Sequence, residues 1–486
     1  MTLMTTPPTS ELQPVQFSRL THRGILLGQS AAQLIVLGLA ATAIIGGFAV
    51  GGLGLAWATP FAAACCATAW VRIGGRAVVE WAPIGFGWAR RSLSGQLVFH
   101  RDIARPRPAG TLALPGDAAR LRQWVDTVTG AAYVHDPHAN TLTAVLAIDH
   151  PSFVLLDPAQ QQRRTTGWGR VLATACRSGR ITTLQVCERT IPDSGKGLAE
   201  WWAQHGRADG AWPAAMYADL VAHAGPAGER HATTISLSLD LKAAARTIRA
   251  AGGGTRGSAA VLRQEIETLT AALRSAELPP TAPLDPADLA LVLRSAYDPA
   301  VAAALERHGS LGRDLASAGP VSVAESWGSL QSDSAHHAVL WVSEWPRTQV
   351  YPGFLAPLLL GSGVRRAFTM LFTPVRADVA ARDLRRKKTE YISDATQRAR
   401  IGQIEDTAQS AEYTDVLQQE ADLTAGHGVL RATGLISISA PDVEELERAV
   451  AVVEQAAIQS SCETRRLWGQ QAQAFVAAAL PLCRTP

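Results

Sequence analysis

The 486-residue sequence predicts a membrane-anchored α+β protein: an N-terminal two-helix transmembrane hairpin followed by two cytoplasmic α/β units with a helical insert between them. Three observations predict it. From Gly24 to Val71 there is no charged side chain, a run of 48 residues. Beyond that run, apolar residues recur alternately at strand and helix periods. Between the two strand-rich regions, a helical pattern leads to the Pro-rich ELPPTAPLDP (277–286), which punctuates it.

The hairpin follows from length. A bilayer core of about 30 Å needs about 20 helical residues, so 48 residues suit two crossings and a turn and are too many for one. Glycines 51, 52 and 54 mark the turn. Helices are expected near Ala31–Val50 and Leu55–Val71, with Pro60 near the start of the second, where it is tolerated. A signal peptide would have a shorter apolar core followed by a cleavage site. A buried hairpin in a soluble protein has the same composition, but the flanks favour a membrane. Arg19 and Arg23 precede the run, and seven arginines from Arg72 to Arg107 face only Glu80 and Asp102. The positive-inside rule then puts both ends in the cytoplasm. Trp57, Trp70, Trp81 and Trp88 suit the interfaces. WAPIGFGWARRSL (81–93) is expected along the inner leaflet, with Arg90 and Arg91 facing lipid phosphates. Residues 1–23 thus form a cytoplasmic tail, 24–72 the hairpin and 73–108 a basic juxtamembrane segment.

Residues 109–245 read as a first α/β unit. TLTAVLAIDH (141–150), ITTLQVCERTI (181–191) and TTISLSLDL (233–241) are strands; TTGWGRVLATACRSG (165–179), GLAEWWAQHG (197–206) and PAAMYADLVAHAG (213–225) are helices. Residues 246–330 read as a helical connecting region, in which Leu262, Ile266, Leu269 and Leu273 form one apolar stripe. Residues 331–486 read as a second α/β unit with strands SAHHAVLWVSEW (334–345) and RRAFTMLFTPV (365–375). A helix over 377–400, rich in Arg and Lys, and one over 403–422, acidic without a cation, flank Ile401-Gly402; this predicts an antiparallel hairpin of complementary charge. The tail, VLRATGLISISA (429–440), a helix after Asp442, SCETRRLW (461–468) and a closing helix, reads as a ferredoxin-like half unit.

The sequence offers little chemistry. Gly252 and Gly257 have P-loop spacing, but Ser258 and Ala259 stand where the phosphate-binding Lys and the Mg²⁺-binding hydroxyl belong. His336 and His337 alternate across a strand and cannot ligate one metal from one face. The six cysteines (65, 66, 176, 187, 462, 483) show no C-x-x-C spacing. Neither G-x-S-x-G nor H-E-x-x-H occurs. No catalytic, cofactor-binding or metal residue is assigned, and an enzyme is not expected. Net charge is only +3, and Arg385–Lys388 lacks interleaved aromatics, so direct nucleic-acid contact is not expected.

EWPRTQVYPGFLAPLLLG (344–361) resembles the non-ATPase part of type IV secretion ATPases of the TraC/TrbE type. The hairpin with VRIGGRAVVEW (71–81) resembles a PrgI-type inner-membrane subunit. The two together resemble a membrane protein family of actinobacterial conjugative elements, most specifically at 334–347, YPGFLAPLL (351–359), ADLTAGHGVL (421–430) and CETRRLWGQQAQAF (462–475). The resemblance implies an inner-membrane, multi-pass structural subunit for conjugative DNA transfer, with most of the chain in the cytoplasm. It implies an oligomer within a complex, anchoring a separate secretion ATPase beside other membrane subunits. The alternatives are a type VII secretion membrane subunit, which also joins a hairpin to a cytoplasmic domain, and, from a different class, an unrecognised membrane-bound enzyme.

Overall fold

The computed structural model describes residues 12, 14–15, 17, 29–102, 104, 110–149, 152–207, 210–224, 228–308, 315–401, 407–424 and 428–485. The first helix, α1 (Ala31–Val50), starts at Ser30. The Ser30 hydroxyl accepts from the Gln33 N–H, and the Gln33 side chain accepts from the Ser30 N–H. Gly51, at φ +94°, makes the whole turn into α2 (Gly52–Trp70), so the second helix starts three residues before the expected Leu55. The helices touch at glycines: a Cβ at Gly47 would lie 2.8 Å from Ala58 Cβ. At the open end, Gln33 Nε2 donates to Ala69 O at 2.7 Å. A short hairpin, β1 (Arg72–Ile73) and β2 (Arg76–Ala77), leads into α3 (Val78–Leu93) and β3 (Val98–His100).

The rest of the chain runs through a similar series of elements twice, with one short helix, Ala245–Ala250, present only in the first pass. The first pass is β4 (Arg122–Val125), β5 (Ala132–Asp136), β6 (Thr141–Ile148), α4 (Pro158–Ser178), β7 (Ile181–Pro192), α5 (Lys196–His205), α6 (Trp212–Ala224), β8 (Glu229–Asp240), α7 (Ala245–Ala250), α8 (Gly254–Ser275), β9 (Pro280–Pro283) and α9 (Pro286–Tyr297). After α10 (Ala302–His308), the second is β10 (Ser322–Glu325), β11 (Leu330–Ser332), β12 (Ala335–Glu344), α11 (Ala356–Leu360), β13 (Arg365–Val375), α12 (Ala377–Ile401), α13 (Thr407–Thr424), β14 (Val429–Ala440), α14 (Val443–Gln459), β15 (Glu463–Arg466) and α15 (Gln471–Ala479).

Each pass contains a complete ferredoxin-like sheet, ordered β9-β6-β8-β7 and β15-β12-β14-β13, with a helical hairpin inserted between its second and third strands. The sequence had suggested this pattern only in part, and only at the C-terminus. The registers coincide: Leu146 lies opposite Ile235 and Pro283, and Leu340 opposite Ile436 and Arg466. The sheets join edge to edge where β7 pairs antiparallel with β13. The local pseudo-twofold passes between the paired Cys187 and Thr369.

Two corrections to the sequence reading follow. The two α/β units share one antiparallel sheet, to which thirteen strands contribute among the described residues. Residues 246–330 also belong to it: α8 buries Leu262, Ile266, Leu269 and Leu273 on the first unit's sheet, and β9 pairs with β6.

The strands are buried on both faces; one face is apolar, and the other mixes apolar side chains with buried polar ones such as Gln185, Ser236, Thr369 and Ser437. On one face, α4 and α8 cover Leu146, Leu184 and Leu237, and α14 covers Leu340, Ile436 and Ile438. On the other, α9 and α15 lie on Val145, Cys187, Val339 and Leu371. Asp157, Asp285 and Asp442 cap α4, α9 and α14 by accepting the N–H three residues ahead.

Candidate functional site: a membrane-proximal helix and two inserted hairpins

Helix α3 has two distinct faces. Trp81, Ile84, Trp88 and Arg91 fall at helical spacing and turn to the sheet edge. Trp327, in the β10–β11 turn, meets Trp81 at 6.3 Å and Trp88 edge-on at 5.5 Å. Arg91 Nη1 donates to Glu325 Oε2 at 2.5 Å, and Nη2 donates to Gly469 O at 2.5 Å. Arg91 therefore faces protein and not lipid phosphate, because the buried Glu325 carboxylate claims it. The opposite stripe keeps Phe86 74% and Leu93 91% exposed, with Arg90 exposed between them. That composition fits a helix lying at a bilayer surface. The tryptophan signal was legible in the sequence, but its partner Trp327, some 240 residues away, was not.

The hairpins leave the sheet at equivalent places. In α12–α13 the charges are complementary as expected: Lys388 Nζ donates to Glu420 Oε2 at 2.9 Å, and the rings of Tyr391 and Tyr413 stack at 4.2 Å. Residues 402–406, where the turn was expected, lie outside the described residues. In α5–α6, Trp202 packs on Tyr217 at 4.9 Å, while Trp201, Trp212, Met216 and Leu220 are exposed. The sequence reading passed over this aromatic surface, although Trp212 stands at the very start of α6 and Trp201-Trp202 lie within α5.

The residues singled out for chemistry have structural explanations. Gly252 and Gly253, in the turn before α8, and Gly254, its first residue, have positive φ. A Cβ at Gly257 would come within 2.5 Å of Ile248 O, so glycine there permits close packing of α7 on α8. Ser258 donates to Gly254 O at 2.8 Å inside the helix. His337 is fully buried: Nε2 lies 2.8 Å from Ser332 Oγ and Nδ1 2.8 Å from Ser439 Oγ. Burial depresses its pKa to about 3. Desolvation also pushes the Cys187, Cys462 and Cys483 thiols up, away from the reactive thiolate. Among the described residues, no three His, Cys, Asp or Glu gather closely enough to hold a metal ion.

The face under α15 is unusually polar, and three of its groups bond the chain at the end of that helix. Gln185 Nε2 donates to Leu480 O at 2.9 Å, Ser236 Oγ to Pro481 O at 2.7 Å, and Thr369 Oγ1 to Ala478 O at 2.7 Å. These bonds satisfy carbonyls that the end of α15 leaves open.

Residues 227–342, from the start of β8 to β12, match a family model described as "Putative type VII ESX secretion system translocon, EccE". No curated protein matches the chain. The match favours the type VII alternative over the type IV reading, and it lends no support to the conjugation resemblance.

Proposed function

We propose that this chain is a non-catalytic membrane subunit of a type VII-type secretion apparatus. The match over residues 227–342 carries that reading. Two helices long and apolar enough to cross a bilayer support it. Only a small part of each is buried against protein: Ile35, Phe48 and Trp57 point outward and exposed. In this reading α1–α2 anchors the chain and α3 couples the anchor to the sheet, with its Phe86–Arg90–Leu93 stripe on the cytoplasmic leaflet. The sheet and its two hairpins then form a cytoplasmic platform for other subunits, a secretion ATPase among them.

The test is affinity purification of the tagged chain from detergent-solubilised membranes of cells carrying its secretion genes, followed by mass spectrometry. Recovery of type VII membrane subunits is expected. Recovery of conjugation proteins instead would restore the type IV reading, and a chain that stays in the soluble fraction would sink both. Reporter fusions after Arg23 and after Arg107 should both read cytoplasmic; a periplasmic signal at either point rejects the anchor topology.

A further inference from the structure

Beside the seam between the two units, on the sheet face covered by α9 and α15, lies a small half-open space of about 20 Å³. It is lined by Arg189, Arg365, Ser295, Ser437 and Ser439, among others. Arg189 is 5% exposed. Its guanidinium stays charged in any protein environment, yet among the described residues it makes no ion pair. It donates from one nitrogen only, to Val292 O at 2.9 Å and Ser295 Oγ at 3.2 Å, and its Nε has no partner. The adjacent Glu188 carboxylate turns to the opposite face, toward Thr233 and His231. Two further donors bear on the same space. Ser437 is 1% exposed, and its hydroxyl has no partner among the described residues. Arg365, beside it, is in no ion pair among the described residues.

The pseudo-symmetry shows that the scaffold does not need these groups. The counterpart of Arg189 is Leu371, which packs in the apolar core. The counterpart of Ser437 is Ser236, whose hydroxyl is taken up by Pro481 O. A buried cation with only neutral hydrogen-bond partners is costly, and a water molecule would fill the space without neutralising it. Its small volume suits one water-sized occupant, which favours a monatomic anion over phosphate or a carboxylate ligand.

The structure assigns to this cavity a single halide-sized anion, held by the Arg189 guanidinium and the Ser437 hydroxyl. Chloride is the physiological member of that class. The anion would lock the seam between the two units by neutralising Arg189, one of two buried arginines, with Arg366, that line this cavity; Arg366 already donates to Leu359 O and Gly361 O.

The experiment compares thermal unfolding of the purified full chain in chloride and in gluconate at equal ionic strength. The parent chain should melt several degrees higher in chloride. Ser437→Ala should shrink that difference, and Arg189→Met should abolish it. Crystals grown in bromide should show an anomalous peak in the cavity, a readout that does not depend on either variant folding. Equal melting of the parent chain in the two salts, or a bromide-grown crystal without a peak there, would overturn the assignment and leave the cavity to water.

Discussion

The hairpins α5–α6 and α12–α13 occupy the same place in the two ferredoxin-like units, and they differ in nearly every surface residue. The first presents Trp201, Trp212, Met216 and Leu220 to solvent. The second presents ion pairs, Arg382 with Asp378 at 3.1 Å and Lys388 with Glu420 at 2.9 Å. The central strands beneath them keep register, down to Leu146 and Leu340 with their equivalent neighbours. The scaffold constrains each insertion only where it leaves the sheet, at Pro192 and Glu229 or at Val375 and Val429. Divergence has therefore collected on the hairpins, which is where a subunit built on a repeated scaffold would distinguish its partners.

The strongest way to break the comparison is to attack the shared scaffold. Leu146→Ala and Leu340→Ala remove equivalent side chains, both fully buried. Each should cost about 2–5 kcal/mol. Because one sheet runs through both units, each variant should shift a single unfolding transition of the full chain in detergent. If Leu146→Ala lowers one transition while Leu340→Ala lowers a separate one, the units fold independently and the shared sheet is not a cooperative whole.

A smaller effect is expected where symmetry is broken by the membrane-proximal helix. Arg91→Ala leaves Glu325, whose side chain is 1% exposed, without its partner. Removing one member of a well-buried pair costs about 3–5 kcal/mol; about 2–3 is expected here, since Arg91 keeps some contact with water. Limited proteolysis should then open the β3–β10 edge. An unchanged melting temperature with an unchanged cleavage pattern would show that α3 is not docked through Arg91.

One further pair sharpens the comparison through pH. Thr143 Oγ1 donates to Ser238 Oγ at 3.1 Å in the first unit; the equivalent bond in the second joins His337 Nδ1 and Ser439 Oγ at 2.8 Å. The folded pKa of His337, about 3, lies below its ordinary 6.5. Between those values the unfolded chain binds the extra proton, so stability is complete above pH 6.5 and falls as pH drops toward 3. From pH 6.5 to 5.5 the loss should be about 1 kcal/mol. His337→Gln should remove this slope, measured by denaturant titration at several pH values. A slope that survives the substitution would place the titrating group elsewhere.

Much of the local structure was legible from period alone. The uncharged run located α1 to the residue, and the strands at 181–191, 365–375 and 429–440 fell where alternation put them. The duplication was hidden because its halves share register and not residues: Leu371 stands for Arg189, and a one-turn helix, α11, for the long α4. The long-range partners of known signals were equally silent. Nothing near Arg91 in sequence points to Glu325, and nothing near Cys187 announces that its strand will pair with β13. Topology of this kind depends on which sheet edges meet, and a periodic pattern carries no information about that.

The smallest effect on stability, and the sharpest contrast, should come from exchanging the hairpins' chemistry. Lys388→Glu removes a bridge between two half-exposed side chains and sets two carboxylates together. Such surface pairs contribute little to the folded state as a whole, so the global transition should hardly move. The local hairpin should loosen, read as faster amide exchange over residues 407–424 with the sheet unchanged. Trp212→Ser with Met216→Ser should leave exchange in both units unaltered, because those side chains are exposed and pack on little. It should instead weaken recovery of partner subunits in the purification that tests the secretion reading, since large exposed apolar groups are the kind an interface desolvates. If the double serine variant recovers every partner at parental levels while Lys388→Glu loses them, the charged hairpin is the docking element and the aromatic one is not.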